Sequence, residues 1–209
     1  MQFCISKLEI SDISRKLHLA IQKTPAASYQ ELPYNWNFFA ENPRPAAVLM
    51  PLLVSEENWH LLFTRRNSEL PEHSGQVAFP GGRSEPEDPI PETTALRETK
   101  EEIGLNSSDV QILGRLHPYR TVTNYLVTPV VGVIPWPYPL VLAQEEVSRV
   151  FTIPLEWLAN PANYEERLRK IPNDNEIPVI YFHPYQGEIL WGASARFTLE
   201  FIKALLAQK

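Results

Sequence analysis

The sequence predicts a single mixed α/β domain with a helix at each end, and three patterns carry that prediction. Apolar residues near both termini recur at spacings of three and four, the period of one helical face. Two apolar runs flank a short polar turn near residue 55, as in a β-hairpin. A third run, after residue 120, is rich in β-branched valine and interrupted by proline, which suits a buried strand and a stiff connection. The 209 residues suffice for one domain, and 44% hydrophobic with 21% charged residues excludes a disordered chain.

From residue 6 to residue 23, Leu8, Ile10, Ile13, Leu17 and Ile21 mark an amphipathic helix. Pro25 to Pro45 is aromatic and loop-like, and Ala46–Val54 and Trp59–Thr64 form strands around the turn Ser55–Asn58. Asp88 suits an N-cap, Pro89 the first helical position and Gly104 a C-cap, so a helix runs from about Pro89 to Ile103. Thr121 to Gln144 is uncharged and long enough for a membrane span, but Pro129, Pro135, Pro137 and Pro139 break any helix there. Val127, Val130, Val131, Val133 and Ile134 instead predict strand, turn, strand. Ser194 caps a last helix, 194–208, that turns Phe197, Phe201, Leu205 and Leu206 inward. Twenty prolines against eight glycines exclude a collagen-like chain and predict stiff, defined turns.

A net charge of −6 argues against a broad basic surface, so neither nucleic acid nor membrane is an expected partner. Cys4 is the single cysteine and cannot form an internal disulfide. Lys7, Glu9, Asp12 and Arg15 interrupt the apolar residues of the N-terminus, which leaves no signal-peptide core. A cytoplasmic location is the expectation.

The segment Gly81 to Leu105 carries the chemistry. At about 100° per residue, Glu98, Glu101 and Glu102 fall within about 100° of one another, with Arg97 beside them. Like charges at i,i+4 repel by a few tenths of a kcal/mol, and Arg97 can pair with Glu101. A hard divalent cation would turn the same repulsion into a ligand set, because Mg²⁺ accepts one or two carboxylates with water and substrate phosphate.

Gly82, Asp88 and the run Arg97-Glu98-Thr99-Lys100-Glu101-Glu102-Ile103-Gly104-Leu105 resemble the Nudix box, Gx5Ex7REUxEExGU, over about residues 82–105. Two departures stand out. Asp88 takes the place of the box glutamate with eight intervening residues, leaving Asp88 or Glu87 as partner for Arg97, and Thr99 stands where an aliphatic residue is usual. Upstream, LFTRRNSELPEHSGQVAFPGG from Leu62 to Gly82 is similar to the additional signature of the coenzyme A pyrophosphatase branch, LLTxRSxxLRxHxGxVxFPGG. Pro71 replaces the branch arginine there, and proline offers a phosphate no donor. TNYLVTPVVGVIP, EEVSRVFTIPL and LWGASA extend the resemblance to about Ala195.

The resemblance implies a Nudix fold, a mixed β-sheet between helices with extra N- and C-terminal helices, in one domain spanning 1–209. It implies a metal-dependent hydrolase, using Mg²⁺ or Mn²⁺, that splits coenzyme A or acyl-coenzyme A into adenosine 3′,5′-bisphosphate and a 4′-phosphopantetheine species. ADP-ribose or NADH is the alternative substrate, and a non-catalytic ligand sensor the alternative class. Metal ligands on this reading are Glu98, Glu101, Glu102 and the Gly82 carbonyl, while Glu98, Glu101 and Arg97 are catalytic. Glu98, Glu101, Glu145 and Glu146 are all open as general base. Arg65, Arg66, Arg83 and Phe79 would contact substrate, and His73, His117, Tyr125 and Trp191 are weaker candidates. The implied partner is a small-molecule nucleotide, with a homodimer left open.

Overall fold

The computed structural model describes residues 5–23, 42–69, 75–171 and 176–207. The sheet is built around β1, the twelve residues Arg44–Ser55, most of which are buried. Burial on both faces explains their nearly unbroken apolar run. A two-residue turn at Glu56 and Glu57, with φ of 50° and 63°, returns the chain into β2 (Asn58–Arg66). Positive φ at both positions matches the twist of a tight hairpin. On its other side β1 pairs in parallel with β7 (Tyr125–Val133), and it also pairs antiparallel with the short β4 (Gly81–Arg83). β2 carries β3 (Val77–Ala78) and β8 (Val147–Pro154), while β7 carries β5 (Gln111–Arg115) and β6 (Tyr119–Arg120). A separate two-stranded ribbon joins β9 (Tyr164–Lys170) to β10 (Glu176–Phe182).

Helices cover both faces of the sheet. On one, Ala95 and Ile103 of α2 (Pro91–Ile103) pack with Ala47, Leu49, Leu53, Leu62 and Val130. On the other, Ile13 and Leu17 of α1 (Ile10–Lys23) meet Phe197, Phe201 and Leu205 of α4 (Gly192–Leu206) over Met50, Leu52, Leu61 and Phe63. The five-residue α3 (Leu155–Ala159) follows β8 and buries Leu155 and Leu158. The fold is therefore the mixed sheet between helices that the sequence predicts. Among the described residues, no helix is long and apolar enough to cross a membrane.

Several boundaries differ from expectation for identifiable reasons. The N-terminal helix begins at Ile10 after a separate 3₁₀ turn, Ile5–Lys7, rather than at residue 6. α2 begins at Pro91, with Ile90 and not Asp88 at the N-cap. Pro91 disfavours helical geometry in the residue before it, and Ile90 accordingly has φ −145° and ψ 156°. Gly104 caps the C-terminus in the left-handed region, φ 71°, as expected. α4 begins two residues before Ser194, with Trp191 at its N-cap, and ends at Leu206. Within 121–144 lies one strand, the body of β7, followed by an irregular proline-rich connection, so the expected second strand is absent. Arg44 and Pro45 belong to β1, Asn42 and Pro43 precede it without regular structure, and 25–41 of the expected aromatic loop lie outside the described residues.

Candidate active site

The site forms where β4 lies against α2. Gly81 has φ 151°, and a Cβ there would stand 2.4 Å from the Ala47 carbonyl oxygen, so only glycine fits. Its N–H donates to Glu102 Oε2 at 3.3 Å. A Cβ on Gly82 would lie 2.5 Å from Glu98 Cδ, so the Glu98 carboxylate rests against bare backbone. The double glycine thus lets two carboxylates of α2 approach the sheet edge.

The three glutamates of α2 differ sharply in environment. Glu102 is 4% exposed, and burial pushes its carboxyl up to about 8, with Glu146 and Glu98 adding repulsion. Arg66, with Nη1 3.8 Å from Glu102 Oε1, and the Gly81 N–H act in the opposite direction. Glu98 is also raised by burial, an effect its bond to Arg97 opposes. Glu101 is more than half exposed. The proximity of Glu146 to Glu98 and Glu102 singles it out from Glu145.

Arg97 organises this group. It donates to Asp88 Oδ2 at 2.9 Å, to Glu98 Oε1 at 2.9 Å, to Glu101 Oε2 at 3.1 Å and to the Arg83 carbonyl at 3.0 Å. Asp88, not Glu87, is its loop partner. That bond, with the Glu85 N–H and the Thr94 hydroxyl, holds Asp88 down to about 2, and the carboxylates raise Arg97 further. The extra residue in the loop is accommodated because Asp88 sits before the helix instead of capping it.

Other predicted residues divide. Arg66 faces Glu102, and its buried Nε has no hydrogen-bond partner among the described residues. Arg65, the next residue back, points to the opposite side and pairs with Glu188 at 3.4 Å. Arg83 is exposed at the end of β4. Phe79 requires correction: it is 2% exposed and stacks on Phe63 at 4.6 Å, so its ring is core and offers substrate no face. His117 Nε2 lies 3.3 Å from the Ile21 carbonyl, in the α1 layer. Trp191 stacks on Tyr181, and Tyr125 carries Arg44 over its ring. Pro71 and His73 lie outside the described residues. Glu188 escaped sequence reasoning because a buried acid in a turn has no local pattern.

A divalent cation fits this chemistry. Glu102 is a buried carboxylate beside a second acid, and the glycine cradle admits Glu98 at close range. Among the described residues, no three acidic or histidine side chains converge as a ready metal cage. Mg²⁺ does not require one, since water and substrate phosphate complete its shell.

A mixed sheet between helices, with an acidic helix docked on a double glycine and tied by one arginine, defines the class: a hydrolase built for a phosphoanhydride. The NUDIX domain model matches residues 43–186, and the chain belongs to the Nudix family. It is a Nudix hydrolase, and its general reaction is hydrolysis of a pyrophosphate bond. It is 37% identical to the uncharacterised Nudix hydrolase NudL of Photorhabdus laumondii, across 79% of this chain and 87% of the relative. It is 38% identical to NudL of Yersinia pestis, across 76% and 78%. Among solved structures, a MutT/nudix family protein from Enterococcus faecalis aligns with TM-score 0.48 and 17% identity, covering 97% of this chain and 74% of the other. The NUDIX domain of Shewanella oneidensis NrtR complexed with ADP ribose aligns at TM-score 0.42 and 20% identity, covering 64% and 85%.

Proposed function

We propose that this enzyme cleaves the phosphoanhydride of coenzyme A or an acyl derivative, giving adenosine 3′,5′-bisphosphate and a 4′-phosphopantetheine species. The observation that carries the reading is the buried Glu102 carboxylate, beside Glu98 and Glu146, at the strand end that the Leu62–Gly82 signature supplies. A cytoplasmic location and one domain over 1–209 belong to the same proposal.

Glu98 and Glu102 would hold Mg²⁺ or Mn²⁺, with Glu101 and the Gly82 carbonyl as further ligands. When bound, such an ion neutralises phosphate charge and lowers the pKa of an attached water. Arg97 fixes Glu98 and Glu101 in place through its 2.9 and 3.1 Å bonds, so their geometry exists before substrate arrives. Arg66 is a cation beside the carboxylates, able to turn its fork toward a phosphoryl oxygen. Glu146 is exposed and close to both acids, so it can accept a proton from the attacking water.

The test is a substrate panel of coenzyme A, acyl derivatives, ADP-ribose, NADH and nucleoside triphosphates, with Mg²⁺ or Mn²⁺ and products identified by mass spectrometry. Coenzyme A and its acyl forms should give the two named products. Preferential cleavage of ADP-ribose or NADH would overturn the substrate, and binding of a ligand without turnover of any member would move the protein to the sensor class. Glu102→Gln should lower metal-dependent turnover by more than about 100-fold while leaving the circular dichroism spectrum unchanged. Near-normal turnover in that variant removes Glu102 from the ligand set.

A further inference from the structure

A second charged feature lies across β2 from the carboxylates. Arg65 of β2 and Arg149 of β8 are direct cross-strand partners. Like charges in that relation destabilise a sheet. Both donate to a single oxygen, Glu188 Oε1, at 3.4 and 3.1 Å. Glu188 is 5% exposed, whereas the two arginine side chains are 45% and 47% exposed. Five N–H donors on each guanidinium greatly outnumber what one carboxylate oxygen accepts. The pair is anchored from behind and presents its remaining donors outward.

Arg65 and Glu188 line a cleft of about 530 Å³ between the end of β2 and the β9–β10 ribbon, together with Arg167, Tyr181, His183 and Trp191, and Arg149 stands beside it on the same Glu188 oxygen. Arg167 lies over the Tyr181 ring at 5.0 Å and pairs with Glu165. Arg169 lies over Trp191 at 4.8 Å. Four arginines against two glutamates make this region cationic in a chain of net charge −6. Successive strand residues point to opposite faces, so the end of β2 aims Arg66 at Glu102 and Arg65 at the cleft.

We propose that this cleft is a subsite for a phosphomonoester, carried by a nucleotide whose phosphoanhydride lies at Glu98 and Glu102, with Arg65 and Arg149 as the anion clamp. The spanning geometry rests on the proposed hydrolysis; recognition of the phosphomonoester does not. Coenzyme A has such a group besides its pyrophosphate, and ADP-ribose and NADH have none. Arg65 and Arg149 therefore select among pyrophosphate-containing nucleotides.

Calorimetric titration of the full chain in EDTA, comparing adenosine 3′,5′-bisphosphate with adenosine 5′-monophosphate, isolates the extra phosphate. The wild type should bind the bisphosphate about tenfold more tightly, a margin typical of one charge-assisted hydrogen-bonded contact. Arg149→Gln should erase that margin and Arg149→Lys should largely restore it. In turnover, Arg149→Gln should raise KM for coenzyme A about tenfold and leave kcat, and both constants for dephospho-coenzyme A, unchanged. Should Arg149→Gln fail to fold, Arg65→Gln makes the same binding comparison between the bisphosphate and the monophosphate. Equal losses on both ligands would make the arginines a structural clip and overturn the proposal, as would a wild type with no preference for the bisphosphate. If coenzyme A is not cleaved yet the bisphosphate margin tracks the arginines, the hydrolytic reading fails and the subsite stands.

Discussion

Arg97 touches more of the site than any single carboxylate does, and its planar fork is what allows one side chain to bond Asp88, Glu98 and Glu101 together. Arg97→Lys keeps the charge but loses the fork, and should lower kcat by about 10–100-fold with a smaller change in stability, measured by steady-state kinetics and urea melts. Gly82→Ala should be comparably damaging, because its Cβ would fall 2.5 Å from Glu98 Cδ and push that carboxylate away. Metal titration of the variant, followed by calorimetry, should show weakened binding. Asp88 makes a pH prediction. Its carboxyl is depressed to about 2 from 3.8, so the stability it contributes is complete above 3.8 and is lost as pH falls through about 2. Urea melts should show the wild type more stable than Asp88→Asn at pH 7, with the gap shrinking steadily below pH 3.8.

α2 shows how an element reconciles chemistry with packing. Thr99, at the position where the Nudix box usually has an aliphatic residue, is fully buried and returns its hydroxyl to the Ala95 carbonyl at 2.6 Å. Because that carbonyl belongs to the helix ladder, Thr99→Val strands no buried partner, and chemical denaturation should register a change of less than about 1 kcal/mol. The same helix marks the reach of sequence reasoning. Its C-terminus was legible because Gly104 must adopt a left-handed conformation, and its acids were legible because spacing alone places them on one side. Its N-terminus was not, since Pro89 and Pro91 compete for the first helical position and only the constraint on Ile90 decides between them. Spacing also could not separate buried Glu102 from exposed Glu101; the depth of each depends on where β4 meets the helix. The hairpin of β1 and β2 was readable from its two apolar runs and the polar turn between them, whereas β3, β5 and β6 are short segments defined only by the strands they pair with. Phe79 was misread because an aromatic next to a motif looks the same in sequence whether it faces ligand or core.

At the scale of the whole molecule, α2 and the terminal helices lie on opposite faces of one sheet and share its strands. Neighbouring residues of β1 serve different cores: Leu49 and Leu53 face α2, while Met50 and Leu52 face the α1–α4 layer. A strand cannot lose one face and keep the other in register, so the two cores should melt together. Leu17 tests this from the side remote from the site. It is 1% exposed in the α1 core, and Leu17→Ala should remove about 2–5 kcal/mol by leaving a cavity. Far-UV circular dichroism and tryptophan fluorescence report jointly, because Trp59 packs in the α1 core and Trp136 against the α2 core. In urea both signals should shift to lower concentration as one coincident transition, with kcat unchanged in native buffer. Separate transitions, with the α2 signal keeping its wild-type midpoint, would instead divide the chain into two folding units and make the terminal helices an accessory layer on an independently stable catalytic core.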